Sequence, residues 1–194
     1  AVNAPSLNTK TPNTATICKG TDVSATVNNG SGGGSRANTQ REFSIDGGVT
    51  WSAYTSGTTI TTTNAVDSVL IRVRRNDGYG TAPLYRLYCS TDWQTIAKWN
   101  VINPLVSLQS FSLPVCYAAN PVADITAFNP SPGVGIWSIQ SGAGSLSSTT
   151  TLNTTITGLT AGSATSIRWS VTQSGCTKNF DTTITPVATS VANL

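Results

Sequence analysis

The sequence predicts an all-β chain folded as two β-sandwich domains in tandem, and three observations carry that reading. Apolar and polar residues alternate over short runs, the spacing of a half-buried strand, and no stretch of useful length carries a helical repeat. Gly- and Pro-bearing turns punctuate these runs roughly every 8–12 residues, the rhythm of a sandwich. The cysteines fall into two sets, Cys18 with Cys89 and Cys116 with Cys176, on either side of the joint Asn103-Pro104-Leu105-Val106.

The length of 194 residues allows one large domain or two small ones. The cysteine partition selects two, with boundaries at 1–104 and 105–194, each near the size of an immunoglobulin-like sandwich. Domains that small bury only about 60–68% of their unfolded surface, so a covalent staple is useful. The expected bridges are Cys18–Cys89 and Cys116–Cys176. A bridge closing a loop of 60–70 residues contributes roughly 4 kcal/mol on the chain-entropy account.

In the first domain, Ala1 to about Thr14 reads as a linker or a first edge strand, and Val23 to Val27 alternates as a strand. Asn28 to Ser35 is Gly-rich and expected to be loop. Two β-prone runs flank Asp46-Gly47, which predicts a tight hairpin between Glu42 and Trp51. Ile60–Thr63, Val69–Arg74, Leu84–Cys89 and Ile96–Ile102 follow as strands. In the second domain the expected strands are Leu105–Leu113, Val122–Phe128, Gly135–Ile139, Thr155–Leu159, Ser166–Val171 and Phe180–Val187. Ile167, Trp169 and Val171 fall on one face of theirs.

Charged residues make up 10% of the chain, against about 25% in an average protein. A net charge of +3 points to no nucleic-acid partner. The one basic cluster, Arg72, Arg74 and Arg75, lies on an alternating strand, and a cross-strand-paired or solvated face is expected there rather than a polyanion site. With no histidine in the chain, the commonest general base and metal ligand is missing, along with any His-containing triad. The acids are Asp22, Asp46, Asp67, Asp77, Asp92, Asp124, Asp181 and Glu42. They show neither calcium-loop spacing nor a carboxylate pair suited to glycosidase work. An enzyme, a resident metal and a cofactor are therefore not expected. Lys10, Lys19, Lys98 and Lys178 sit in polar contexts, which disfavours an intramolecular Lys–Asn cross-link. The chain has no methionine and no apolar run of about 20 residues. It reads as a processed chain or a fragment, with no membrane insertion expected.

Among the aromatics, Trp51, Tyr54, Trp93, Trp99, Trp137, Trp169, Tyr85 and Tyr88 are candidate sugar platforms. Trp137 and Trp169, in alternating apolar runs, are expected in the core. Trp93, in the loop-like run Ser-Thr-Asp-Trp-Gln, is the best candidate for ligand contact, with packing over the Cys89 bridge as the competing expectation.

Ser44-Ile45-Asp46-Gly47-Gly48-Val49-Thr50-Trp51 resembles the Asp-box of sialidases and other propellers. That resemblance implies a hairpin in which Asp46 caps backbone N–H groups and Trp51 packs beneath the turn, with Ser44, Gly48 and Thr50 completing it. A sialidase would need several boxes, an arginine triad and a longer chain.

Cys18-Lys19-Gly20, Phe43 to Tyr54, Val69 to Arg75 and Trp99-Asn100-Val101 together resemble a module repeated in very large secreted surface proteins of Bacteroidetes. Ile136 to Ile139, Thr157 to Gly162 and Arg168 to Cys176 resemble the PKD-like/Ig-like module that accompanies it. The resemblance implies tandem sandwiches in a secreted, adhesin-type protein exported by the type IX system. It also brings a short O-glycosylation pattern, matched at Ser68 (Asp67-Ser68-Val69) and Thr182 (Asp181-Thr182-Thr183).

The sequence therefore reads as a non-enzymatic extracellular structural or adhesion module whose partners are neighbouring modules, copies of itself or surface glycans. One alternative is a subunit of an extracellular filament, assembled by strand exchange through the β-prone arm Ala1–Ile17. A second is a carbohydrate-binding module using Trp93.

Overall fold

A computed structural model describes residues 2–33, 37–76, 90–112 and 121–187. Every regular element among them is a strand, and the chain divides into two compact units, Ala1–Ile102 and Asn103–Leu194.

In unit 1 the N-terminal segment is strand rather than linker: β1 (Val2–Asn3) and β2 (Ser6–Thr11) both find partners within the unit. They are followed by β3 (Thr16–Cys18), β4 (Ser24–Asn28), β5 (Ser31–Gly32), β6 (Asn38–Ser44), β7 (Ser52–Ala53), β8 (Ser68–Asn76) and β9 (Gln94–Ile102). The main sheet has the order β3-β9-β8-β6-β7, while β2 pairs with β4 and β1 with β5. The alternation of β8 sends Val69, Ile71 and Val73 inward, each at 0% exposure. Val69 and Ile71 pack with Ala97, Trp99 and Val101 of β9, and with Val23, Ala25, Tyr54 and Ile60. Full burial of each Val or Ile contributes about 1.5–3 kcal/mol, so the inward faces of β8 and β9 supply a large share of this core.

Three expectations change in unit 1. The Gly-rich stretch expected to be loop contains β5, because β1 lies alongside it and supplies backbone partners. Of the expected strand Ile60–Thr63, only Ile60 pairs, as a lone bridge to Val23. Thr62 instead uses its hydroxyl, accepting from the Gly20 N–H at 3.0 Å and donating to Thr21 O at 2.7 Å, and such side-chain bonds compete with a ladder. Cys18, which precedes the expected strand Val23–Val27, ends a strand of its own, β3. The expected strand Leu84–Cys89 lies outside the described residues.

Unit 2 contains β10 (Leu108–Ser112), β11 (Ala123–Ala127), β12 (Val134–Ser141), β13 (Ser145–Leu146), β14 (Asn153–Thr157), β15 (Thr165–Gln173) and β16 (Cys176–Ile184). Its two sheets run β10-β11-β14-β13 and β12-β15-β16. They share one core: Ala123, Ile125 and Ile156 from the first meet Trp137, Ile167, Trp169 and Val171 from the second. The expected last strand, Phe180–Val187, begins earlier and ends earlier. A two-residue turn, Ser174-Gly175, lets β16 start at Cys176 opposite Gln173, and Pro186 cannot donate to a ladder. Cys176 therefore opens a strand instead of trailing one.

Candidate functional site

The Asp-box turn is local chemistry. Gly48 N–H donates to Ser44 Oγ at 2.8 Å, and the Ser44 hydroxyl donates to Asp46 Oδ1 at 2.7 Å. The same carboxylate accepts the backbone N–H of Val49 at 3.0 Å and of Thr50 at 2.9 Å, and the Thr50 hydroxyl at 2.5 Å. These donors, the Thr50 and Ser44 hydroxyls foremost, hold the Asp46 carboxyl well below the usual carboxylate range. Trp51 folds back so that its indole N–H donates to Gly48 O at 2.9 Å. The hairpin expected between Glu42 and Trp51 is present but less tight than expected, since the flanking strands first pair at Phe43 and Ser52. The carboxylate-capped turn sets its length.

Beside this turn, the outer face of β8 carries a ladder of alternating rings and guanidiniums. The register places Arg72 opposite Glu42 and Arg74 opposite Gln40. Arg72 donates through Nε and Nη2 to Glu42 Oε2 at 2.9 and 2.6 Å, and Arg74 Nε donates to Gln40 Oε1 at 2.5 Å. The Arg72 guanidinium lies 3.8 Å from the centre of the Trp51 ring and 4.5 Å from that of Trp93, and Arg74 lies 4.6 Å from Trp93. A bulge in β9, between the pairs Ile71–Ala97 and Arg72–Thr95, accompanies the placement of Trp93 on this face. The charge-paired face expected for Arg72 is present. Sequence reasoning does not place Trp51 and Trp93 in this ladder; the alternation of Gln40 and Glu42, matching that of Arg72 and Arg74, is the one signal in the sequence that could have located the pairing.

For a sugar platform, Trp93 is half-buried with two guanidiniums against its ring. The other described candidates apart from Trp51 are buried. Trp99 donates its indole N–H to Pro12 O at 2.9 Å, Trp137 does so to Thr151 O at 2.9 Å, and Tyr54 places its hydroxyl 2.9 Å from both Ala25 N and Ala25 O. Trp169 is packed against Trp137, ring centres 4.5 Å apart. Tyr85 and Tyr88 lie outside the described residues.

The remaining acids with described partners also serve the fold. Asp181 accepts from Arg168 at 2.7 and 2.8 Å, which lowers its pKa and raises that of Arg168, and Asp124 accepts the Thr155 hydroxyl at 2.6 Å. Among the described residues no three His, Cys, Asp or Glu side chains gather to hold a metal, and no helix is long and apolar enough to cross a membrane. Lys178 Nζ does meet Asn103 Oδ1 at 3.2 Å, but at an exposed position.

Cys18 and Cys176 are both disulfide-bonded, which assigns the chain to an oxidising environment. Their expected partners, Cys89 and Cys116, lie outside the described residues. Of the two glycosylation candidates, Thr182 is half-buried on β16, whereas Ser68 is 7% exposed and its carbonyl accepts from Gly47 at 3.3 Å. The arm Ala1–Ile17, expected as a donor strand, is paired within its own unit through β1, β2 and β3. Compared with known proteins, the chain matches no family model and no curated protein.

Proposed function

We propose that this chain is a non-enzymatic, load-bearing module of an extracellular or cell-surface bacterial protein. In this reading its units are an Ig-like sandwich and a PKD-like/Ig-like sandwich, stapled by Cys18–Cys89 and Cys116–Cys176. It works as a spacer and stiffener, with neighbouring modules or copies of itself as partners.

The observation that carries the reading is where the polar chemistry is spent. Asp46 is committed to its turn, Glu42 to Arg72 and Asp181 to Arg168, while Arg72 and Arg74 are committed to indole rings. Side chains that would otherwise bind or react with a ligand tie strands and turns together. Separate apolar cores and a bonded cysteine in each unit support the same conclusion.

Cis pairing of the N-terminal arm weighs against assembly by strand exchange, and the occupied Trp93 ring weighs against a sugar platform. An antibody raised against the folded chain tests the location: intact, unpermeabilised cells of the source organism are expected to bind it. Labelling confined to permeabilised cells would overturn the proposal.

A further inference from the structure

Among the described strands a single pairing is parallel, and it joins the first strand of unit 1's main sheet to its last. β3 runs beside β9 with Thr16 opposite Asn100, Ile17 opposite Val101 and Cys18 opposite Ile102. The ladder continues at both ends. Asn100 N–H donates to Ala15 O at 2.8 Å, and Lys19 N–H donates to Ile102 O at 2.8 Å.

The chain enters β3 from the N-terminal side and leaves unit 1 at the end of β9. Once β1 and β2 have parted from β5 and β4, tension applied from the two sides draws these parallel strands along their length in opposite directions. Every rung is then loaded together, whereas a hairpin pulled from its open end yields one rung at a time. Side chains reinforce the pairing. Ile17 is buried at 5% exposure, the Trp99 indole holds Pro12 O, and Lys10 Nζ donates to Lys98 O at 3.1 Å while lying 5.2 Å from the Trp99 ring. Residues on both sides of β3 are thus tied to one strand. Cys18, at the end of β3, is disulfide-bonded.

We infer that the β3–β9 pair is a shear clamp: it sets the force at which unit 1 opens when the chain is stretched between its neighbours. The inference rests on the load-bearing reading for its use in the parent protein, while the clamp itself is a property of this geometry.

Pulling the full, oxidised chain in an optical trap tests it, with handles on bio-orthogonal residues so that the disulfides stay intact. Handles at positions 13 and 103, with Asn13 exposed just ahead of β3, load β3 against β9 in shear without first drawing on the β1–β5 and β2–β4 pairings. Handles at 49 and 103 load the sheet sideways. Val49 is 81% exposed at the turn after Ser44, Ser44 aligns with Leu70 and Leu70 with Lys98, so this turn and Ile102 lie toward the same end of the sheet. The expected result is a high-force opening of unit 1 in the first geometry that is lost in the second. Lys19→Pro, which removes the N–H bonded to Ile102 O at an exposed position, is expected to lower the force in the first geometry. If that variant does not fold, the two pulling directions on the unchanged sequence decide. Equal forces in both directions, or an unchanged force in a folded Lys19→Pro, would overturn the clamp and leave the load-bearing reading standing. Low force in both directions would overturn both.

Discussion

Gly135 lies flat against the indole of Trp169: a Cβ built on Gly135 would fall 1.9 Å from one ring carbon and 2.3 Å from the next. Trp169 is 1% exposed and wedged against Trp137, so the ring has nowhere to move. Gly135→Ala is expected to cost unit 2 at least the upper part of the roughly 1–3 kcal/mol typical of overpacking. Chemical denaturation followed by tryptophan fluorescence reads this out, and a stability equal to the parent's would mean that the indole can be displaced.

Tyr54 links the main sheet to β4: its backbone N–H donates to Arg41 O of β6 at 2.9 Å, and its side chain reaches Ala25. Its hydroxyl accepts from the Ala25 N–H, and Ala25 O and Thr58 O are both within reach of its proton. Tyr54→Phe keeps the ring and leaves a buried N–H without a partner, which costs about 1–3 kcal/mol. A shift of the denaturation midpoint without a change of slope would assign the loss to that bond.

The Arg72 ladder depends on a planar cation. Lysine at this position keeps the charge near Glu42 but cannot stack its head between two rings while donating twice to one carboxylate oxygen. A double-mutant cycle pairing Arg72→Lys with Trp93→Phe is expected to give a coupling of about 0.5–1 kcal/mol. Strict additivity of the two changes would show that the stacking contributes nothing.

The Asp-box turn predicts a pH dependence with a definite sign. The Asp46 carboxyl titrates lower in the folded chain than in the unfolded chain, where it stands at about 4. Its contribution is fully present above that value and is lost as pH falls through the folded pKa, because the unfolded state binds the proton first. Asp181, lowered by Arg168, adds a slope of the same sign. Thermal melts from pH 6 downward should lose stability below about pH 4, with a shallower loss in Asp46→Asn. The Asp181→Asn variant should retain the Asp46 share. Parallel curves for the parent and Asp46→Asn would refute this assignment.

What the sequence reveals here follows the range of the interactions. The alternation of β15 is legible because one face must be buried, so Ile167, Trp169 and Val171 could be placed inward. The Asp-box is legible because Ser44, Asp46, Thr50 and Trp51 bond within a few residues of one another. The parallel partner of β3 is not, since Thr16–Cys18 is too short to show a period and its ladder is set by residues far along the chain. β5 depends in the same way on β1. The described partners of Trp93, Arg72 and Arg74, come from β8, brought to it by sheet register and a bulge that no local pattern announces. Ser68 matched a glycosylation pattern that carries no information on burial.

Two units, each closed by its own bridge, leave a direct signature in peptide mapping without reduction. Proteolysis of the unreduced chain followed by mass spectrometry is predicted to give Cys18 linked to Cys89 and Cys116 linked to Cys176. A peptide in which Cys18 or Cys89 is joined to Cys116 or Cys176 would contradict that arrangement.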